Sequence, residues 1–234
     1  MSRNVGRGVF GPALVAWTDA SALDLQPMEV LSPLGEEQLD RYRALSDIHA
    51  RRFVTGRWLL AELVPELADA ADLTLTTICE RCGASHGRPR LTRAPVAVSV
   101  SYAGRVVAVA AVRTADASAV GVDIEPEPVA GRHRRLHDLE PLFAPAEPPD
   151  IEGWTLLEAA VKADGRGLTI DPAAVRIGDA GTGESPESRA VRIPGRGDVI
   201  DAAVIAGPRG FILSAAIAPA RAASWAGQHR RAPS

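Results

Sequence analysis

Apolar and polar positions alternate most sharply in Ala119-Val120-Gly121-Val122-Asp123-Ile124-Glu125, where Val120, Val122 and Ile124 take every second place. That period predicts a strand with one apolar face, and it sets Gly121, Asp123 and Glu125 on the other, neighbours on that face lying roughly 7 Å apart along the strand. A second period-two run over 96–102, then Ala103-Gly104, then an apolar run over 105–112, predicts a β-hairpin with a short glycine turn. Helical spacing occurs twice. Phe53, Gly56, Leu60, Leu63, Val64 and Leu67 make one face of a helix over 50–67, and Trp154, Leu157 and Val161 make the stripe of another over 154–165. Ser32-Pro33 ahead of Glu36 and Glu37 reads as a further helix start, with a capping hydroxyl, proline at the first position and acids in the first turn.

Between these elements the pattern weakens. Residues 126–153 are rich in Pro, Arg and Glu and predict a loop with one short helix. Beyond 165 strands are expected at 191–193, 199–205 and 211–218, separated by turns such as Gly207-Pro208-Arg209-Gly210, with fraying from about Trp225. Residues 1–12 read as a loose start. Their Gly6-Arg7-Gly8-Val9-Phe10-Gly11 is a formal G-x-G-x-x-G, but no strand precedes it and Pro12 follows, so the dinucleotide fingerprint lacks its context and is read as chance. Each half of the chain offers a helix followed by hairpin material. The expected organisation is two α/β halves, 1–115 and 116–234, facing one another across a cleft where ligands tend to bind.

At 234 residues the chain has room to bury two such cores, and 46% apolar with 24% charged residues is an ordinary globular balance. A net charge of −3 provides no overall attraction to nucleic acid or an anionic membrane, so any anion site must be a local cluster of arginines. No run reaches the length of a membrane span, and no signal-peptide core follows Met1-Ser2-Arg3-Asn4; with only two cysteines, a cytoplasmic setting is expected. Lys162 is the only lysine among 26 basic residues, which singles it out from generic surface charge.

Several groups carry candidate chemistry, each beside a plainer reading. Asp123 and Glu125 are either two solvent-facing acids or a pair of oxygen donors for a hard cation, with Gly121 leaving open space beside them. Glu158 and Lys162, four apart on a helix, make a stabilising pair on spacing alone. Arg51, Arg52 and Arg57 read as a solvated face. Cys79-Glu80-Arg81-Cys82 with His86 has part of a zinc pattern but no fourth ligand, so reduced thiols in a turn are expected. His133 and His137, set among arginines, read as an exposed basic helix face. Gly87-Arg88-Pro89 holds Arg88 on a rigid bend.

Together Gly121-Val122-Asp123-Ile124-Glu125, the run from Trp154 through Glu158 to Lys162, Gly165-Arg166-Gly167-Leu168, and upstream Arg52-Phe53-Val54-Thr55-Gly56-Arg57, Gly87-Arg88-Pro89 and Val98-Ser99-Val100-Ser101-Tyr102 resemble the two-domain phosphopantetheinyl transferases, the surfactin-synthetase-activating type, over roughly residues 31–170. The resemblance implies an α+β fold built as a pseudo-twofold pair of similar α/β halves. It implies Mg2+, with Mn2+ as a substitute, held by Asp123, Glu125 and Glu158, and coenzyme A as substrate, contacted by Arg52, Arg88, Ser101 and Tyr102. It also implies that Glu158 takes the proton of a carrier-protein serine, and that Lys162 orients that carboxylate and offsets transition-state charge. An apo acyl or peptidyl carrier protein is the implied partner, and a monomer holding both halves the implied state. Four positions depart from the family's pattern: Tyr102 stands where histidine is usual, Leu157 where a basic residue is frequent, and Glu36 and Glu37 open a helix that is often basic. These losses of positive charge imply the alternative of a divergent member that binds a coenzyme A-like ligand without transferring from it, or serves another biosynthetic step.

Overall fold

A computed structural model describes residues 4–69, 72–79, 82–85, 87–128, 134–181 and 188–220. His86, His133, the side chain of His137 and the end from Trp225 lie outside that description. The described chain is mixed α+β, with two antiparallel sheets and five α-helices.

The first sheet has six strands: β1 (Gly6–Phe10), β2 (Ala13–Asp19), β3 (Leu75–Thr76), β4 (Arg90–Leu91), β5 (Val96–Ala103) and β6 (Val106–Arg113), in the order β1-β2-β6-β5-β4-β3. The second has five: β7 (Ala117–Pro126), β8 (Arg176–Ala180), β9 (Arg189–Arg192), β10 (Ile200–Ile205) and β11 (Phe211–Pro219), in the order β7-β11-β10-β9-β8. Each sheet is contiguous in the chain, and the change of sheet falls in the turn between β6 and β7. Helices α1 (Pro27–Leu31), α2 (Glu36–Arg43) and α3 (Asp47–Leu67) belong to the first part, and α4 (Arg134–Phe143) and α5 (Ile151–Asp164) to the second.

Three apolar cores define the layers. Leu59, Leu60, Leu63 and Val64 of α3 pack on Val98, Val107 and Val109, one face of the first sheet. Val15, Ala108, Ala110 and Val112, on its other face, meet Val120, Val122, Ile124, Leu213 and Ala215 of the second sheet. The far side of the second sheet carries α5, with Leu156, Ala159, Ala160 and Ala163 against Ala119, Ala202 and Ala216. The order is therefore helix, sheet, sheet, helix. The apolar face predicted for β7 is the one that closes the middle core, where period-two residues find a facing sheet.

The expected hairpin is present, Ala103 pairing with Val106 across Gly104-Arg105, and β9, β10 and β11 fall close to the three strands expected beyond 165, whereas β8 was not expected. Two expectations at the N-terminal end are corrected. The described part of the start, from residue 4, is not loose: β1 and β2 form a hairpin in which Phe10 pairs with Ala13, and Gly6 and Gly8 lie beneath the Trp17 ring, where a Cβ on Gly6 would come within 2.1 Å of the indole nitrogen. Glycines two apart on one strand face thus make a seat for tryptophan, which is the physical use of that G-x-G. Ser32 does not cap the helix over 36–43 either. Its hydroxyl donates to Met28 O at 2.6 Å, and Gly35 stands at the N-cap.

The contact that places α5 is at Gly121. A Cβ there would lie 1.9 Å from Ala159 O and 2.8 Å from Ala163 N, so the helix backbone runs directly over the strand. The open space expected beside Asp123 is filled by α5, because only glycine admits a helix that close. Gly121→Ala is expected to push α5 off β7 and lower stability by about 3 kcal/mol, the upper range for overpacking, measured by denaturant unfolding against the parent.

Candidate active site

With α5 lying on β7, the acids of the strand and the charged face of the helix share one buried layer. Asp123 and Glu125 are each only 5% exposed rather than solvent-facing. Lys162 Nζ donates to Asp123 Oδ1 at 2.6 Å, to Ser101 Oγ at 3.0 Å and to the Val122 carbonyl at 3.1 Å. An ammonium has three protons, and these three acceptors use them all. Lys162 therefore orients Asp123, not Glu158 as the resemblance implied. Ser101 completes the triangle, its hydroxyl donating to Asp123 Oδ1 at 2.8 Å. The other oxygen, Asp123 Oδ2, is buried and has no hydrogen-bond partner.

Glu158 stands one helical turn before Lys162. Burial pushes its carboxyl above the ordinary range, the Lys162 ammonium pulls it back, and the Asp123 carboxylate adds to the rise. Among the described residues Lys162 thus faces Asp123 and Glu158, which sense one another, in a desolvated layer, with Glu125 two residues along the same strand face. The orphaned Asp123 Oδ2 is an acceptor that a further positive group would satisfy.

Ser101 and Tyr102 do not share a site. Consecutive strand residues point to opposite faces, so Ser101 joins the acid layer while Tyr102 turns toward α3. There it lines a cavity of ≈ 290 Å³ with Arg41, His49, Arg52, Phe53, Arg57, Thr77, Gly87 and Pro89, and among the described residues no carboxylate lines it. The guanidinium of Arg52 sits 5.7 Å from the Tyr102 ring centroid and donates to Gly104 O at 2.9 Å. The Tyr102 phenol forms a wall of this cavity and leaves it open. Arg88, the remaining predicted contact, lies elsewhere: it packs against Gly165, the left-handed residue that ends α5, with its Nη1 2.9 Å from where a Cβ would stand.

Some of the cavity's charge was hidden from sequence reasoning. Arg57, read as part of a solvated face, is 2% exposed, its guanidinium 4.4 Å from the Phe53 ring centroid and its Nε donating to Gln38 Oε1 at 2.8 Å. Burial pushes that guanidinium below its ordinary value, while Tyr102 acts the other way. The signal available was position: Arg57 is four residues after Phe53, on the helix face that packs inward. Gln38 and Arg41 gave no comparable signal. Glu37, noted as a misplaced acid, is consumed locally. Thr77 donates to it through its backbone N–H at 2.6 Å and its hydroxyl at 2.5 Å, and Thr76 through its hydroxyl at 2.7 Å. Burial alone would raise its carboxyl, but these bonds hold it below the ordinary range. Cys79 and Cys82 are not joined in a disulfide, and Gly83 N–H donates to Cys79 O at 2.9 Å.

The acid layer fits a magnesium ion by its donors. Mg2+ is bound through one or two carboxylates with waters and substrate phosphates rather than in an all-protein cage. Among the described residues no three Asp, Glu, His or Cys side chains, Asp123, Glu125 and Glu158 included, come together as a group that could hold a metal ion; Asp123 Oδ2 is the unsatisfied hard donor of the layer. No protein-family model matches the chain, and no curated relative matches it.

The sign of the Glu158 shift sets a pH dependence. Its folded value lies above its unfolded one, so the fold favours the protonated form. Stability is greatest below the unfolded value of about 4.5 and falls as pH rises through the folded value. In metal-free buffer containing a chelator, Glu158→Gln is expected to melt above the parent at pH 7.5, the two converging below pH ~4.5. A parent more stable than Glu158→Gln at pH 7.5 would refute that electrostatic assignment.

Proposed function

We propose that this chain is an Mg2+-dependent phosphopantetheinyl transferase of pseudo-twofold, two-halved architecture, moving the phosphopantetheine group of coenzyme A onto a serine of an apo acyl or peptidyl carrier protein. The observation that carries the reading is the pair of complementary sites on the two faces of β5: an acid layer behind Ser101 in which Asp123 Oδ2 is buried without a partner, and a cavity beside Tyr102 lined by Arg41, Arg52 and Arg57 and, among the described residues, by no carboxylate. A nucleotide diphosphate thioalcohol is a substrate that needs both, a cation for its pyrophosphate and guanidinium groups for its remaining phosphate.

In this reading Asp123 and Glu158, with Glu125 beside them, hold the ion, which when bound neutralises charge on the phosphoanhydride. Glu158, whose burial raises its proton affinity, accepts the proton of the incoming serine hydroxyl. That hydroxyl oxygen bonds to phosphorus as the bond to the bridging oxygen breaks, and adenosine 3′,5′-bisphosphate departs. Lys162 keeps Asp123 in place and contributes a fixed positive charge to the layer. Arg52 and Arg57, with Arg41, face the anionic end of the nucleotide.

A second reading, capture of such a ligand without transfer, draws on Arg52, whose guanidinium already serves Gly104 O and the Tyr102 ring. Incubating the protein with coenzyme A, Mg2+ and a panel of apo carrier proteins, then weighing the carriers, separates the two. Transfer predicts a phosphopantetheine mass gain that Glu158→Ala lowers by at least about 100-fold, as loss of a general base does. Binding of coenzyme A with no mass gain on any carrier that a known transferase modifies would leave only the second reading.

A further inference from the structure

Two serines of β5 cross from the first sheet to β7 in the second. Ser99 Oγ accepts from the backbone N–H of Val122 at 3.1 Å, and Ser101 Oγ donates to Asp123 Oδ1 at 2.8 Å. They are equally buried, at 6% and 5%, and brace the same strand, but only Ser101 touches a carboxylate. A hydroxyl has one proton to give and lone pairs to receive, and Ser101 uses both, giving to Asp123 while accepting from Lys162 Nζ at 3.0 Å. Lys162 closes the triangle on the same oxygen at 2.6 Å. Asp123 Oδ1 therefore takes two donors, one from each side of the molecule, and Oδ2 takes none although it is buried.

A carboxylate gripped through one oxygen by two fixed donors cannot turn about its Cβ–Cγ bond without breaking both. Its second oxygen is then presented in one direction, and the entropy of aiming it is lost on folding rather than on binding. We infer that Ser101 is a positioning residue that acts through Asp123, and that with Lys162 it pre-aims Oδ2 at a hard divalent cation. Lys162 shares the role: its three protons are committed within the protein, so it serves the site by holding Asp123. Ser99 is only a strut between sheets. This inference rests on the metal reading proposed above.

The test uses the full-length protein stripped of metal, without coenzyme A or carrier, and Mn2+ as an electron-paramagnetic probe. Ser101→Ala is expected to weaken Mn2+ binding about 10-fold or more, the usual loss when the outer partner of a ligating carboxylate is removed. Ser101→Thr, which keeps the hydroxyl, is expected to restore most of it, and Ser99→Ala to lower the melting temperature with Mn2+ affinity unchanged. Because Lys162 is the only lysine, protein labelled with 13C-lysine has one side-chain ε-methylene signal, which stoichiometric Mn2+ should broaden if the ion sits at Asp123. Should Ser101→Ala fail to fold, Ser101→Cys, a near-isostere with a weak donor, carries the same expectation. Undiminished Mn2+ affinity without the hydroxyl, or equal losses in the Ser101 and Ser99 variants, overturns the positioning role while the metal reading stands. A parent that binds no Mn2+ and keeps a sharp Lys162 signal overturns both.

Discussion

The absence of a side chain at Gly121 is the constraint on which this arrangement depends. It lets the Ala159 carbonyl and the Ala163 amide lie directly over β7, closer than any residue with a Cβ permits. Only at that separation does Lys162 reach Asp123 Oδ1, Ser101 Oγ and the Val122 carbonyl together. Glu158, one turn earlier, is then drawn into the same desolvated layer and its proton affinity rises. The sheet-facing alanines of α5, Ala159, Ala160 and Ala163, extend the same close packing, all being essentially buried.

Charge in that layer is deliberately unequal. Among the described residues the Lys162 ammonium is set against Asp123 and Glu158, and Asp123 Oδ2 is left buried without a donor, a state that costs free energy unless a ligand relieves it. The opposite imbalance holds on the other face of β5, where arginines line a cavity that, among the described residues, no carboxylate lines, and Arg57 is buried on Phe53. Strand alternation keeps the two apart, because Ser101 and Tyr102 must point to opposite faces however close they are in sequence. A polyanion paired with a divalent cation is the ligand chemistry that answers both imbalances.

Local turn chemistry ties the cavity wall to the helices. Glu37 at the start of α2 gathers Thr76 and Thr77, and Gln38 joins Leu75 O to the Arg57 guanidinium, so two neighbouring polar residues connect α2, β3 and α3. Glu37 therefore carries less meaning as a misplaced acid than its sequence position implied: its charge is met by hydrogen bonds within its own neighbourhood.

Much of the architecture is set by short-range pattern. The hairpin of β5 and β6, the strand β7, the helices α3 and α5, and the strands β9, β10 and β11 follow from periodicity, since the period of the apolar positions states which face is buried. The acids and the lone lysine were identifiable as chemistry for the same local reason, being unusual residue types at regular spacing. What tertiary structure alone decided is which of them meet. The sequence spacing between Ser101, Asp123 and Lys162 carries no distance, and their convergence depends on the two sheets stacking and on a helix descending onto a glycine. Burial was hidden in the same way: Arg57, Asp123 and Glu125 are polar by composition and become interior only because elements distant in the chain close over them, which no local pattern encodes.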